Sequence, residues 1–116
     1  MPQVLRGDVF KANLEPHEGS EQGGTRPVVV VSRDALNKYS PIVVVCSITE
    51  AANKTRIYPG HVKVPSGTGG LTMDSIVMAE QIRSINKTRL VSLIGKFDKA
   101  LMTSIEAVIK ITLDLP

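Results

Sequence analysis

Gly19-Ser20-Glu21-Gln22-Gly23-Gly24-Thr25-Arg26-Pro27 runs directly into Val28-Val29-Val30-Val31, a glycine-rich polar loop joined to a continuous β-branched run. β-Branched side chains pack well on a pleated surface and crowd a helix, so residues 27–31 read as a buried strand. The loop ahead of it has a different character. Its adjacent glycines permit positive φ and a close backbone approach to a ligand. A carboxylate, Glu21, and a permanent cation, Arg26, lie five positions apart, and Pro27 ends the segment. This is the composition of an active-site loop carried on the shoulder of a strand.

Outward from this join the strand pattern repeats. Residues 4–14 alternate loosely, residues 42–48 form another continuous apolar run, and residues 61–64, 75–80 and 90–97 add three more, which predicts about six strands. Loops rich in Gly, Pro and polar residues separate them, notably 15–26 and 65–70. That predicts a mainly β fold, a small and strongly bent sheet or partly open barrel. Ser32 precedes Arg33-Asp34-Ala35-Leu36 and is expected to N-cap a short helix through Asn37. From Asp98, a good N-cap, residues Leu101, Ile105, Val108, Ile109 and Leu113 recur at helical spacing and predict a C-terminal α-helix laid on the sheet by one apolar face. No repeat, low-complexity tract or linker divides the sequence, so one domain over residues 1–116 is expected.

With 116 residues, 42% of them hydrophobic, the chain is long enough for one core. No apolar run approaches the roughly 18 residues a membrane helix needs, and no basic-plus-apolar leader opens the sequence, so a cytoplasmic protein with no membrane partner is expected. The single cysteine, Cys46, lies inside the run 42–48 and is expected to be packed core, which excludes an internal disulfide. His17 and His61 have no partner histidine at ligand spacing, and Gly67-Thr68-Gly69-Gly70 lacks the Lys of a phosphate loop. They read as surface or packing residues and a turn, and no metal or cofactor is expected.

Fourteen basic and 11 acidic residues give a net charge of +3, a mild bias toward a polyanionic partner. Lys54, Arg56, Lys63, Arg83, Lys87, Arg89, Lys96 and Lys99 fall from residue 54 onward, where they line a groove or simply form a solvated face. The only aromatics are Phe10, Tyr39, Tyr58 and Phe97, too few for a base-stacking platform.

Were the polyanion RNA, cutting it without a metal would need a group to take the proton of the attacking 2′-hydroxyl and donors for the charged transition state. Arg26 suits the second role, being planar, always charged and able to fork onto two phosphate oxygens. Glu21 is a candidate for activating the hydroxyl. Ser47 and Thr49 share one face of their strand by alternation, and either terminate it or donate to a phosphate. Glu80-Gln81-Ile82-Arg83 closes another strand with polar groups able to read base edges.

Taken together, Arg6-Gly7-Asp8-Val9, the loop from Gly19 to Pro27, Ser47-Ile48-Thr49, His61-Val62, Asp74-Ser75, Glu80-Gln81-Ile82-Arg83 and the closing helix resemble the MazF/PemK family of bacterial toxin endoribonucleases, over nearly the whole chain. The resemblance is to its chromosomal MazF-like branch. It implies an SH3-like barrel, a homodimer with single-stranded RNA (mRNA) along the dimer groove, cleavage at a short sequence, and a cognate MazE-like antitoxin. It implies that Arg26 and Thr49 are catalytic, with Glu21 contributing in some members, and that Ser20, Gln22, Glu80 and Gln81 contact RNA; the Ser47 hydroxyl is expected to join them on its own chemistry. The plasmid-borne branch carries a His where this chain has Ser20 and an Arg where it has Met78, so Arg26 must carry more of the chemistry here. The same barrel also resembles CcdB, a gyrase-binding toxin without enzymatic activity, and a catalytically silent RNA-binding paralogue is the other alternative.

Overall fold

In the computed structural model, which describes residues 3–53, 56 and 58–116, the β-branched runs become strands that extend beyond their apolar cores. The order is β1 (Asp8–Asn13), β2 (Thr25–Val30), α1 (Asp34–Tyr39), β3 (Ile42–Glu50), a 3-10 turn (Ala51–Asn53), β4 (His61–Val64), β5 (Ser75–Asn86), a second 3-10 turn (Lys87–Arg89), β6 (Leu90–Lys96) and α2 (Lys99–Leu113). Lys54, expected among the groove cations, lies outside the described residues.

All six strands form one antiparallel sheet in the order β4-β5-β3-β2-β1-β6. Among the described residues no backbone ladder joins β6 to β4, so the barrel is open, and the loop after β4 covers the gap by packing. A Cβ on Gly70 would strike the Ile94 carbonyl oxygen, and one on Gly95 would strike the backbone of Gly69. The two backbones meet where neither has a side chain.

Because strand side chains alternate, the sheet carries two cores. Phe10, Ala12, Leu14, Val28, Val30, Val43, Val45, Ile85 and Leu90 pack on one face with Val4. Val9, Val29, Cys46, Ile48, Val77 and Phe97 pack on the other, beneath Met102 and Ile105 of α2. Cys46 is fully buried as expected, and burial pushes its thiol from an ordinary 9.0 up to about 12, with the Glu80 charge adding to the effect.

Four expectations are corrected. Strand β1 begins at Asp8, not at residue 4, because a turn precedes it: Leu5 N–H donates to the Asp8 carboxylate at 2.9 Å and Asp8 N–H to the Leu5 carbonyl at 3.0 Å. Arg33, not Ser32, occupies the N-cap of α1, without a side-chain cap bond. The Ser32 hydroxyl instead bonds Asn37 and accepts from Val44 N–H at 3.0 Å, tying the helix to β3. Strand β5 continues to Asn86, because a bulge absorbs Ala79, Glu80 and Gln81: Ser47 pairs with Met78 while the adjacent Cys46 pairs with Ile82. Finally, Leu113 is exposed. The last turn of α2 is solvated all round, past the reach of the sheet, while Asp98 does cap the helix through Leu101 N–H at 2.8 Å.

Candidate active site

Arg26 belongs to β2 and not to the loop, and its backbone pairs with Ala12 of β1. Alternation puts its side chain on the face of Val28 and Val30, the face to which Val28 also brings Ser47 through the β2–β3 pairing. Continued two residues, that register sets Arg26 level with Thr49. The guanidinium is half-buried, and its Nε–H donates to the Gly23 carbonyl at 3.0 Å. No carboxylate among the described residues pairs with it.

Arg26 lines a pocket of about 270 Å³ together with Thr25, Glu50, Asn53, Thr72 and Ser75. Thr49 is nearly buried and is linked to this pocket through Asn53, whose Nδ2 donates to the Thr49 hydroxyl at 3.3 Å. Asn53 was not legible as a site residue, because its contact depends on the 3-10 turn after β3. Among the described residues, no three His, Cys, Asp or Glu side chains cluster at metal-holding distance.

The remaining candidates fall into two further groups. In the loop, the Glu21 carboxylate accepts from Glu18 N–H at 2.7 Å and points into its own turn, exposed. The Gln81 side-chain amide reaches across from the β5 bulge, accepting from Gln22 N–H and donating to the Ser20 carbonyl, each at 3.1 Å. Ser20, Gln22 and Gln81 are thus one hydrogen-bonded unit bracketing Glu21.

Glu80 sits elsewhere. Its Oε2 is 2.6 Å from Nε2 of His61, whose side chain is buried. Ser47, on the shared face with Arg26, is wholly enclosed, and its hydroxyl has no partner among the described residues. Of the predicted groove cations, Arg83 donates to the Leu14 carbonyl at 3.2 Å and Arg89 to those of Asn13 and Glu15, so both brace the loop's base. His17, read from sequence as a surface or packing residue, bonds the Glu15 carboxylate at 2.7 Å. That bond, seconded by Gly24 N–H, holds the Glu15 carboxyl below its ordinary 4.5.

A family model of PemK-like, MazF-like toxins of type II toxin-antitoxin systems matches residues 5–113. The chain belongs to this family. It is 42% identical over 112 residues to an endoribonuclease MazF of Staphylococcus epidermidis, spanning 97% of this chain and 92% of the relative. It is 41% identical over 112 residues to endoribonuclease EndoA of Bacillus subtilis, spanning 97% and 96%. A solved mycobacterial endoribonuclease in complex with its cognate antitoxin superposes with a TM-score of 0.79 at 27% identity, covering 97% of each chain. In this MazF-like chain, then, the predicted residues divide among three places: Arg26 with Thr49 and the enclosed Ser47 on one face of β2 and β3, Ser20 to Gln22 with Gln81, and Glu80 with His61.

Proposed function

We propose that this MazF-type toxin endoribonuclease cuts single-stranded RNA at a short sequence without a metal, by attack of a 2′-hydroxyl on the adjacent phosphorus. The new P–O2′ bond replaces the P–O5′ bond, giving a 2′,3′-cyclic phosphate and a 5′-hydroxyl. One proton leaves the 2′-oxygen and one is delivered to the departing 5′-oxygen. The carrying observation is Arg26, anchored through Nε on Gly23, paired with no carboxylate among the described residues, level with Thr49 by the β2–β3 register, and lining a polar pocket with Asn53, the residue that bonds the Thr49 hydroxyl.

A guanidinium with a pKa above about 12 is a poor proton donor, so Arg26 acts as a phosphate clamp that stabilises charge as it develops. Thr49 Oγ1 already accepts from Asn53, which leaves its O–H to donate to a phosphate oxygen. Glu21 lies close along the chain and takes the 2′-proton once substrate draws its carboxylate off Glu18. The toxin works as a homodimer and is neutralised by a MazE-like antitoxin whose acidic segment occupies the RNA groove.

Purified protein incubated with a long unstructured RNA in excess EDTA tests the reading. Cuts at one short motif, ending in cyclic phosphates and abolished by removing the 2′-hydroxyl at that position, are expected. Arg26→Ala lowers the rate by roughly 10²-fold or more with the fold intact. Intact RNA after incubation with the folded wild type sinks the proposal, and near-normal cutting by the variant sinks the role of Arg26.

A further inference from the structure

The peptide group between Gly23 and Gly24 is bonded at both ends. Its C=O accepts from Arg26 Nε–H at 3.0 Å. Its N–H donates to the Glu15 carboxylate on the opposite side. Glycines flank this peptide, and Gly24 sits at a φ of 70°. Such a unit flips at little steric cost unless something outside it fixes its direction. A flip would turn the N–H toward the Arg26 guanidinium, donor against donor, and take away the anchor of the phosphate clamp.

We propose that Glu15 and His17 are the positioning residues that lock this peptide and so aim Arg26. The idea rests on the reading of Arg26 as the clamp. Glu15 holds the N–H end with a full negative charge, and such charge-assisted bonds are about twice as strong as neutral ones. The same charge polarises the amide and strengthens the acceptor that Arg26 uses, since hydrogen bonds in series reinforce one another. His17 fixes the carboxylate: Nδ1 lies 2.7 Å from Oε1 and 3.0 Å from Oε2. A carboxylate only accepts, so Nδ1 carries the proton.

The backbone under Glu15 is itself tethered, with Arg89 donating to the carbonyls of Asn13 and Glu15 and with Glu15 N–H on Asn13 Oδ1 at 3.0 Å. Packing supports the same arrangement. A Cβ on Gly23 would collide with His17 Nδ1 and Glu15 Oε2, so the two side chains close directly over the peptide they hold.

The test compares wild type, Glu15→Ala, Glu15→Gln and His17→Ala on one RNA carrying the cut site. Wild-type cleavage comes first, because its absence defeats the nuclease reading and not this one. With the wild type active, Glu15→Ala is expected to lose roughly 10- to 100-fold in kcat, the scale of a small misplacement of a catalytic group. KM should stay within about threefold, since the groove is untouched. Glu15→Gln, whose amide oxygen still accepts from Gly24 N–H, should recover most of the loss, and His17→Ala should fall between. The Arg26 Nε–H resonance gives the second readout, exchanging with solvent faster in Glu15→Ala than in wild type. A Glu15→Ala variant with wild-type kcat, or one with an unchanged Arg26 Nε–H, overturns the proposal. Should Glu15→Ala fail to fold, Glu15→Gln and His17→Ala decide: wild-type kcat and an unchanged Arg26 Nε–H in both overturns it.

Discussion

His61 Nε2 stands 2.6 Å from Glu80 Oε2, and the same ring accepts from Tyr58 N–H through Nδ1 at 3.2 Å. An accepting Nδ1 carries no proton, so the ring is the neutral tautomer that donates from Nε2 to the carboxylate. The pair joins edge strand β4 to the bulge of β5, where Glu80 would otherwise face solvent as a bare charge. Glu80 therefore reaches any RNA with one oxygen already engaged.

This pair should matter more to stability than an ordinary surface ion pair. The His61 side chain is fully buried, while that of Glu80 is 42% exposed. Glu80→Ala leaves a buried N–H without its acceptor, and urea unfolding is expected to record a loss of about 1–3 kcal/mol. Glu80→Gln keeps an acceptor and should lose less than half of that. Equal losses in the two variants would mean that charge, not the hydrogen bond, sets the contribution.

Cys46 should be chemically silent. With its thiol pushed up to about 12, almost none is thiolate at pH 8. A thiol reagent is expected to label the protein only after denaturant unfolds it. The linkage has a definite sign, since a raised folded pKa means the folded state holds the proton more tightly. The contribution is fully present below 9.0 and is lost as pH rises from there toward 12. Labelling of the folded protein at a rate near that of free cysteine would contradict it.

Glu15 carries the opposite sign. Its folded carboxyl lies below the ordinary 4.5 because His17 and Gly24 N–H bond the charged form. The bonding of Glu15 to His17 and Gly24 contributes its stability above 4.5 and is lost only as pH falls through the lower folded value. The facing groups are the His17 ring, the Arg89 guanidinium on the Glu15 carbonyl and, across the peptide, Arg26. An NMR titration of the Glu15 carboxyl carbon should place its midpoint below 4.5 in wild type and move it upward in His17→Ala. An unmoved midpoint would remove His17 as the main cause.

Ser47 offers a test with the reverse expectation. Its enclosed hydroxyl has no partner among the described residues, so it bears a desolvation cost without a bond in return. Ser47→Ala should leave stability unchanged or raise it by about 1 kcal/mol. A drop in RNA cleavage at unchanged stability would show that substrate opens the sheet surface to this hydroxyl. Unchanged cleavage would assign it to packing.

The strands and α2 were legible because period-2 and period-3.6 patterns are local. Val28 to Val31, or Asp98 with Leu101 and Ile105, carry their own reading. What was not legible depended on a distant partner. By sequence, residues 75–80 read as a strand that ends at Glu80, because the polar residues that follow have the character of a terminus, and only the β3 register reveals a bulge with the strand continuing beyond it. Ser32 reads as an N-cap, but Val44, twelve residues away, claims its hydroxyl. In the site, Arg26 and Glu21 stood out by residue type. Their surroundings were hidden: Gln81, expected to contact RNA, instead bonds the backbone on both sides of Glu21, while Glu15, which bonds the Gly24 N–H next to the carbonyl that anchors Arg26, and Asn53, which bonds Thr49, are common polar residues with no pattern of their own.

Gln81 shows how such a partner can be tested. Its amide accepts from Gln22 N–H and donates to the Ser20 carbonyl, mimicking one rung of a sheet ladder and fixing the backbone on both sides of Glu21. Two neutral hydrogen bonds at about 1 kcal/mol each resist opening of this loop. Gln81→Ala should therefore speed amide exchange at Gln22 by roughly tenfold or more, with little change in global unfolding, because only the loop opens. Cleavage should weaken through KM, as the RNA must then order a segment that wild type presents already ordered. Gln81→Glu separates the two bonds. The carboxylate still accepts from Gln22 N–H but repels the Ser20 carbonyl, so Gln22 should stay protected while the Ser20 side loosens. If Gln22 exchanges in Gln81→Ala as slowly as in wild type, the loop is held by its own turn, in which Glu21 bonds Glu18 N–H, and not by the bulge of β5.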